Sequence, residues 1–135
     1  MKYLILVSLV VILSGCTSLD VTSAKNIDGN EICVINNVSV KKDFTDAYIR
    51  QINENGYKSR LIDESEKNGC IITSTYAATY GFHWGVYLKT AELNVFNKNE
   101  LLGKASYKAP YASPEKHGRV ENKIDAMVDK LLPQL

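Results

Sequence analysis

Hydrophobic and polar positions fall into distinct blocks along this chain, and the first block is the most one-sided. Met1-Lys2-Tyr3 leads into the apolar stretch Leu4 to Leu13, interrupted only by Ser8, and then into Ser14-Gly15-Cys16. A short basic start, an apolar run of about ten residues and small residues behind it are the parts of a secretion signal in their usual order. Spanning a bilayer takes about 20 apolar residues, so the run is short for a retained transmembrane helix. Thr17 to Asn30 then carries Thr, Ser, Asp and Asn with no sustained apolar period. It reads as a flexible tether, with the folded body expected from Glu31 onward.

Within that body the period of the apolar positions switches between two and nearly four. Ile32-Cys33-Val34-Ile35 is a β-branched run closed by Asn36-Asn37, which predicts a buried strand ending in a turn. Phe44, Ala47, Tyr48 and Ile52 recur at spacings of three and four, which predicts a helix with Ser39 or Asp43 as its cap and Gly56 at its end. Tyr57 to Ile62 reads as a second strand and Asp63 to Gly69 as a polar loop.

Cys70 to Tyr80 is dense in Ile, Thr and Tyr, a long strand with Ile72, Ser74, Tyr76, Ala78 and Tyr80 on one face. Gly81 to Gly85 makes the turn. From Val86 onward Tyr87, Ala91, Leu93 and Val95 are expected to face in and Leu88, Thr90, Glu92 and Asn94 out. Asn97 to Glu100 reads as a hairpin, and Leu101, Gly103, Ala105, Tyr107 and Ala109 as the inward set of the returning strand, the two small residues leaving room for a helix. Val120, Ile124, Met127, Val128 and Leu131 form the apolar stripe of a C-terminal helix that stops at Pro133.

The order is therefore β-α-β-β-β-β-α. With both helices on one face of a mixed or antiparallel sheet, the expected fold is a two-layer α+β sandwich. Residues 1–15 are the signal, 16–30 the lipid-bearing cysteine and tether, and 31–135 a single domain. Removing the signal leaves about 120 residues, the usual size of one domain.

The tetrad Leu13-Ser14-Gly15-Cys16 resembles the lipobox of bacterial lipoproteins, in which a hydrophobic residue and two small ones precede the modified cysteine. The resemblance covers about the first sixteen residues. It implies that the Cys16 thiol receives diacylglycerol, that the signal is cut before Cys16, and that the new amine takes a further acyl chain such as palmitate. Two or more chains give stable anchoring where one holds only reversibly. An Asp after the lipidated cysteine resembles an inner-membrane retention signal, and this chain has Thr17 there. In a diderm source that places the protein on the periplasmic face of the outer membrane. The body resembles the small α/β lipoproteins of proteobacterial envelopes and, more loosely, the βαβ-type accessory domains of envelope assembly systems. That likeness rests on strand order and the hairpin-plus-helix ending.

Charge narrows the partners. The chain has 16 Lys+Arg and 15 Asp+Glu, and losing Lys2 with the signal makes the two equal. Nucleic-acid binders carry a clear basic excess, so nucleic acid is not an expected partner, and membrane binding falls to the lipid.

With Cys16 lipidated, Cys33 and Cys70 remain in a compartment that permits oxidation, and a disulfide between the first and third expected strands follows; two buried small side chains are the alternative. Neither a Cys-x-x-Cys spacing nor a rich supply of His points to a metal or redox site, and no cofactor is expected. His83 and His117 lack a neighbouring nucleophile motif and read as surface residues. Asp63, Glu64 and Glu66 read as solvated loop carboxylates.

The most unusual local feature is the aromatic series Tyr76, Tyr80, Phe82, His83, Trp84 and Tyr87 around one turn. The tyrosines are expected to pack. Phe82 and Trp84 either plug the end of the sandwich or, with His83, form a partner, sugar or membrane surface. The leading expectation is a non-enzymatic, outer-membrane-tethered binding or accessory domain that contacts another envelope component. The alternative is a protein that binds or hydrolyses cell-wall or glycolipid fragments in a cleft near His83 and Trp84.

Overall fold

The run at Ile32 does form a strand, β2 (Glu31–Ile35), but another precedes it: β1 (Leu19–Thr22) lies inside the segment expected to be a tether. The computed structural model describes residues 19–110 and 114–135, so the signal segment and Cys16 lie outside the described residues. Leu19 and Val21 are half-buried while Asp20 and Thr22 are exposed. This two-residue period is masked in the sequence by the polar neighbours, and pairing with a strand remote in sequence is what orders it. The 16–30 segment therefore contains an edge strand of the sheet, and Ala24 just beyond it is buried.

The remaining elements are α1 (Lys42–Glu54), β3 (Lys58–Ile62), a 3₁₀ segment (Glu64–Gly69), β4 (Ile72–Phe82), β5 (Val86–Asn97), β6 (Glu100–Lys108), a 3₁₀ turn (Pro114–His117) and α2 (Val120–Leu131). The sheet order is β1-β6-β5-β4-β2-β3. β2 pairs parallel with both β3 and β4, and the other pairs are antiparallel. The fold is the expected α+β, with a mixed sheet. α1 supplies the crossover between the parallel strands β2 and β3, which a tight turn cannot provide.

Both helices cover one face. Phe44, Ala47, Tyr48 and Ile52 of α1 and Ile124, Met127, Val128 and Leu131 of α2 are buried against Ile32, Val34, Ile72, Tyr76, Leu93 and Val95. Each of the larger aliphatic side chains and Phe44 contributes roughly 1.5–3 kcal/mol. The N-cap of α1 is Lys41, with no side-chain bond, so neither Ser39 nor Asp43 caps the helix as expected. Asp43 sits in the first turn, where a carboxylate favours the positive end of the helix dipole. Gly56 takes φ +98° after the helix, a value that glycine adopts without strain.

Tyr76 ties three elements together. Its hydroxyl lies 2.8 Å from Thr45 Oγ1 of α1 and accepts from the Asn37 backbone N–H at 3.0 Å, while its carbonyl accepts from Asn37 Nδ2 at 2.9 Å. Phe44 stacks on its ring and Tyr48 meets it edge-on, both at 5.9 Å between centroids.

Two irregularities shift the strand phases that alternation predicts. Thr79 pairs with Thr90 and Tyr80 with Leu88, so Lys89 is bulged out and Leu88 turns inward, fully buried, against the expectation that it faces out. Likewise Val95 pairs with Gly103 and Phe96 with Leu101, so Leu101 is exposed and Leu102 packs on the core in its place. A one-residue slip reverses every side chain beyond it, and the sequence carries no mark of where the slip occurs.

Candidate functional site

The β4–β5 hairpin runs past the end of the helix layer, and its last rung is uncovered for that reason. Tyr80 and Leu88 are partners on the helix-covered face, and Phe82 and Val86 form the next rung on that face. α1 begins at the level of Tyr80, where the Lys41 ammonium stands 4.4 Å from the Tyr80 ring centre. Nothing described lies over the rung beyond: Phe82 is 80% exposed, Val86 59% and Trp84 92%. Phe82 and Trp84 therefore do not plug the sandwich. Tyr76 and Tyr80 pack on the helix-covered face, fully and in part, but Tyr87, expected to face in with them, pairs with Gly81 and is turned to the opposite face by the bulge at Lys89. Burial pushes the Tyr80 hydroxyl above its ordinary pKa, with the Asp43 charge adding to it.

Trp84 occupies the left-handed region at φ +59°, an uncommon place for a bulky residue, and Gly85 follows at φ +146°. The His83 N–H donates to the Gly85 carbonyl at 2.9 Å and closes the turn, and the indole at its tip is exposed, with the His83 ring edge-on to it. The ring of Tyr87 folds back over Gly81, where a Cβ would meet it at 2.6 Å. His117 stands edge-on to Tyr87 at 5.6 Å and beside His83 at 6.3 Å, and the Lys116 ammonium lies 5.0 Å over the Tyr87 ring.

Behind the tip, on the face opposite the helices, runs an open groove of about 680 Å³ lined by Phe82, His83, Tyr87, Lys89, Lys108, Ala109, Pro110 and Lys116. Among the described residues its lining holds three lysines and no carboxylate. Lys89 and Lys108 are exposed on adjacent strands, joined where the Ala109 N–H donates to the Lys89 carbonyl at 2.8 Å. These lysines were not singled out from the sequence, because only the bulge and the strand register bring them together. The structure brings His83 and His117 together but leaves Trp84 outside the groove.

At the opposite end of the sheet Cys33 and Cys70 form a disulfide, with 6.3 Å between their Cα atoms. Cys70 precedes β4 and is not within it, and Cys33 lies on the face away from the helices. The bond therefore pins the 3₁₀ segment to that face and stays outside the main core. Arg60 on β3 lies 3.6 and 3.5 Å from the two sulfurs and 3.3 Å from Glu31 Oε1. Glu31, Cys33 and Cys70 cluster within metal-ligand reach, but both sulfurs are in the bond and the guanidinium already faces the carboxylate. Asp63, Glu64 and Glu66 are exposed, and Glu66 accepts from the Asp63 N–H at 3.2 Å as a local cap.

The fold defines the class that can be stated: a small α+β domain with a six-stranded mixed sheet open on one face. No protein-family model matches the chain, and no curated protein sequence does. Among solved structures it is similar to the PelC dodecamer from Paraburkholderia phytofirmans, at 10% identity and TM-score 0.60 over 84% of this chain and 97% of that one. A point variant of the same PelC, also a dodecamer, matches at 8% identity and TM-score 0.55 over 82% and 91%. At these identities the likeness is one of fold. Among the described residues no helix is long and apolar enough to cross a membrane.

Proposed function

We propose that this chain is a lipid-anchored envelope lipoprotein, held through Cys16 on the periplasmic face of the outer membrane of a diderm source, and that its domain is a non-enzymatic binding or accessory module contacting another envelope component. The observation that carries the reading is the position of Leu19. It opens the edge strand β1 three residues after the lipobox-like cysteine, so acyl chains on Cys16 would hold the folded sheet close against the bilayer. A disulfide suits an oxidising compartment and supports the same address.

The contact surface is the sheet face that the helices leave open. Thr75, Ala77 and Thr79 of β4 pair there with Asn94, Glu92 and Thr90 of β5. These side chains are small or uncharged save Glu92, and they knit among themselves: Thr79 Oγ1 lies 2.6 Å from Thr90 Oγ1, and Asn94 Nδ2 donates to Thr75 Oγ1 at 3.3 Å. A flat, preordered surface costs little side-chain entropy to cover. The two structural neighbours are assemblies of twelve copies, which supports protein contact as a use of this fold, with further copies of this chain among the partners to be tested.

Intact mass and membrane fractionation of the wild type and of Cys16→Ser test the anchor. The expected wild-type product begins at Cys16, carries acyl mass and sediments with outer membrane, while the variant is soluble or uncleaved. An unmodified wild-type chain in the soluble fraction overturns the anchor. A photocrosslinking residue at Thr79 or Thr90 tests the partner: a defined crosslinked species is expected, and its absence in intact envelopes overturns the contact face.

A further inference from the structure

The end of the sheet from which the exposed hairpin projects is also the end at which the chain enters from Cys16. β1 runs antiparallel to β6 with Leu19 opposite Tyr107, and Tyr107 is opposite Ala91 of β5. Leu19 therefore stands level with Ala91, and the strand from Ala91 back to Val86 extends beyond that level toward Trp84. At about 3.3 Å per residue, and allowing for the bulge at Lys89, the tip projects about 13 Å beyond Leu19. The three residues from Leu19 back to Cys16 reach at most about 11 Å. Lipid on Cys16 and the rings of the tip can thus lie at one depth.

We infer that the β4–β5 tip is a second membrane-docking element: Phe82, Trp84 and Val86 enter the interfacial layer of the leaflet that holds the Cys16 lipid, and Lys89 and Lys108 behind them meet anionic phospholipid headgroups. The inference rests on the lipid-anchor reading. Chemistry and placement agree on the occupant. A tryptophan 92% exposed between an exposed phenylalanine and an exposed valine has the make-up of an interfacial anchor, an apolar body with one polar N–H. The lysines stand on the body side of these residues, where phosphates would be met once the rings were immersed, and among the described residues no carboxylate lines the groove they share. On the helix side the charged groups nearest the tip are Lys41, Asp43 and Glu121, which flank it without covering it. Two attachment points fix the orientation of the sheet, which a single flexible anchor does not, and leave the open Thr-rich face turned sideways toward neighbouring proteins.

Trp84 is the only tryptophan of the chain, so its emission reports on this tip alone. The mature lipoprotein is reconstituted in vesicles of phosphatidylglycerol and phosphatidylethanolamine, with and without bromine on the upper acyl chains. The expected result is a blue-shifted emission that brominated lipid quenches. Phe82→Ser with Val86→Ser, or Lys89→Gln with Lys108→Gln, should lower the quenching by about half at unchanged circular dichroism. A water-like, unquenched emission from protein whose mass shows lipid on Cys16 overturns the docking element and leaves the anchor standing. Equal quenching in purely neutral phosphatidylcholine overturns the role of the lysines. If the mass shows no lipid, the anchor reading fails, and the same vesicles mixed with the unlipidated chain still decide the tip: quenching supports insertion and its absence overturns it.

Discussion

A Cβ on Gly103 would stand 2.5 Å from the backbone nitrogen of Ala24, because the chain leaving β1 crosses directly over β6 at this point. The same Ala24 N–H donates to the Leu131 carbonyl at 2.8 Å, so the segment is held between the sheet and the C-terminal end of α2. The small residue expected to admit a helix admits a strand-to-loop connection instead. Gly103→Ala should cost about 1–3 kcal/mol through overpacking against backbone that has nowhere to move. Urea denaturation would read the loss, and hydrogen exchange should show the Ala24 amide losing its protection first. An unchanged midpoint would mean that the β1 crossing yields freely.

The stripe of α2 places Ile124 at zero exposure among Met127, Val128 and Leu131. Ile124→Asp would set a carboxylate against the sheet with no partner, a change expected to remove several kcal/mol from a domain that has about 5–15 in total. Thermal melts by circular dichroism should show a steep fall, and truncation after Gly118 should abolish the cooperative transition. A truncated chain that still melted near the full-length temperature would make α2 an appendage.

The bond between Cys33 and Cys70, 37 residues apart, closes a loop whose entropy in the unfolded chain is worth about 4 kcal/mol on the chain-entropy model. Paired Cys→Ala substitution should lower stability by up to that amount. Because the bond fastens the 3₁₀ segment and not the helix-covered core, exchange protection should be lost first over Glu64 to Gly69. Loss beginning in α1 would contradict this placement.

Tyr48 is wholly buried, its hydroxyl 2.6 Å from Ser74 Oγ, and burial pushes its pKa up to about 12 from the ordinary 10.0. The fold favours the protonated phenol. Its contribution is therefore complete below about pH 10 and falls as pH rises from there through about 12, since the unfolded chain releases this proton first. Melting temperatures should drop across that window. Tyr48→Phe should show a shallower drop there, at a cost of about 1 kcal/mol near neutrality for the lost hydrogen bond. Parallel slopes for the two proteins would assign the alkaline sensitivity to other groups.

How much of this was legible depends on whether the information is local. Periodicity in the sequence located α1, α2, β2, β3 and the β4-β5-β6 meander, and with them the α+β class, because an apolar stripe at helical spacing or an alternating strand has only one way to bury itself. It also singled out Phe82, His83 and Trp84, through aromatic density around a turn. Tertiary structure alone decided what those residues do not touch. Phe82 obeys the inward alternation of its strand and is still exposed, since the helix layer ends one rung short of it. β1 was hidden because a four-residue edge strand is stabilised by its partner β6 and not by its own composition. The bulges at Lys89 and Leu102 reversed Leu88 and Leu101, since strand phase is set by pairing across the sheet and a slip leaves no trace along one strand. Lys89 and Lys108 became neighbours for the same reason: nineteen positions apart in the chain, they are joined only by the register of β5 on β6.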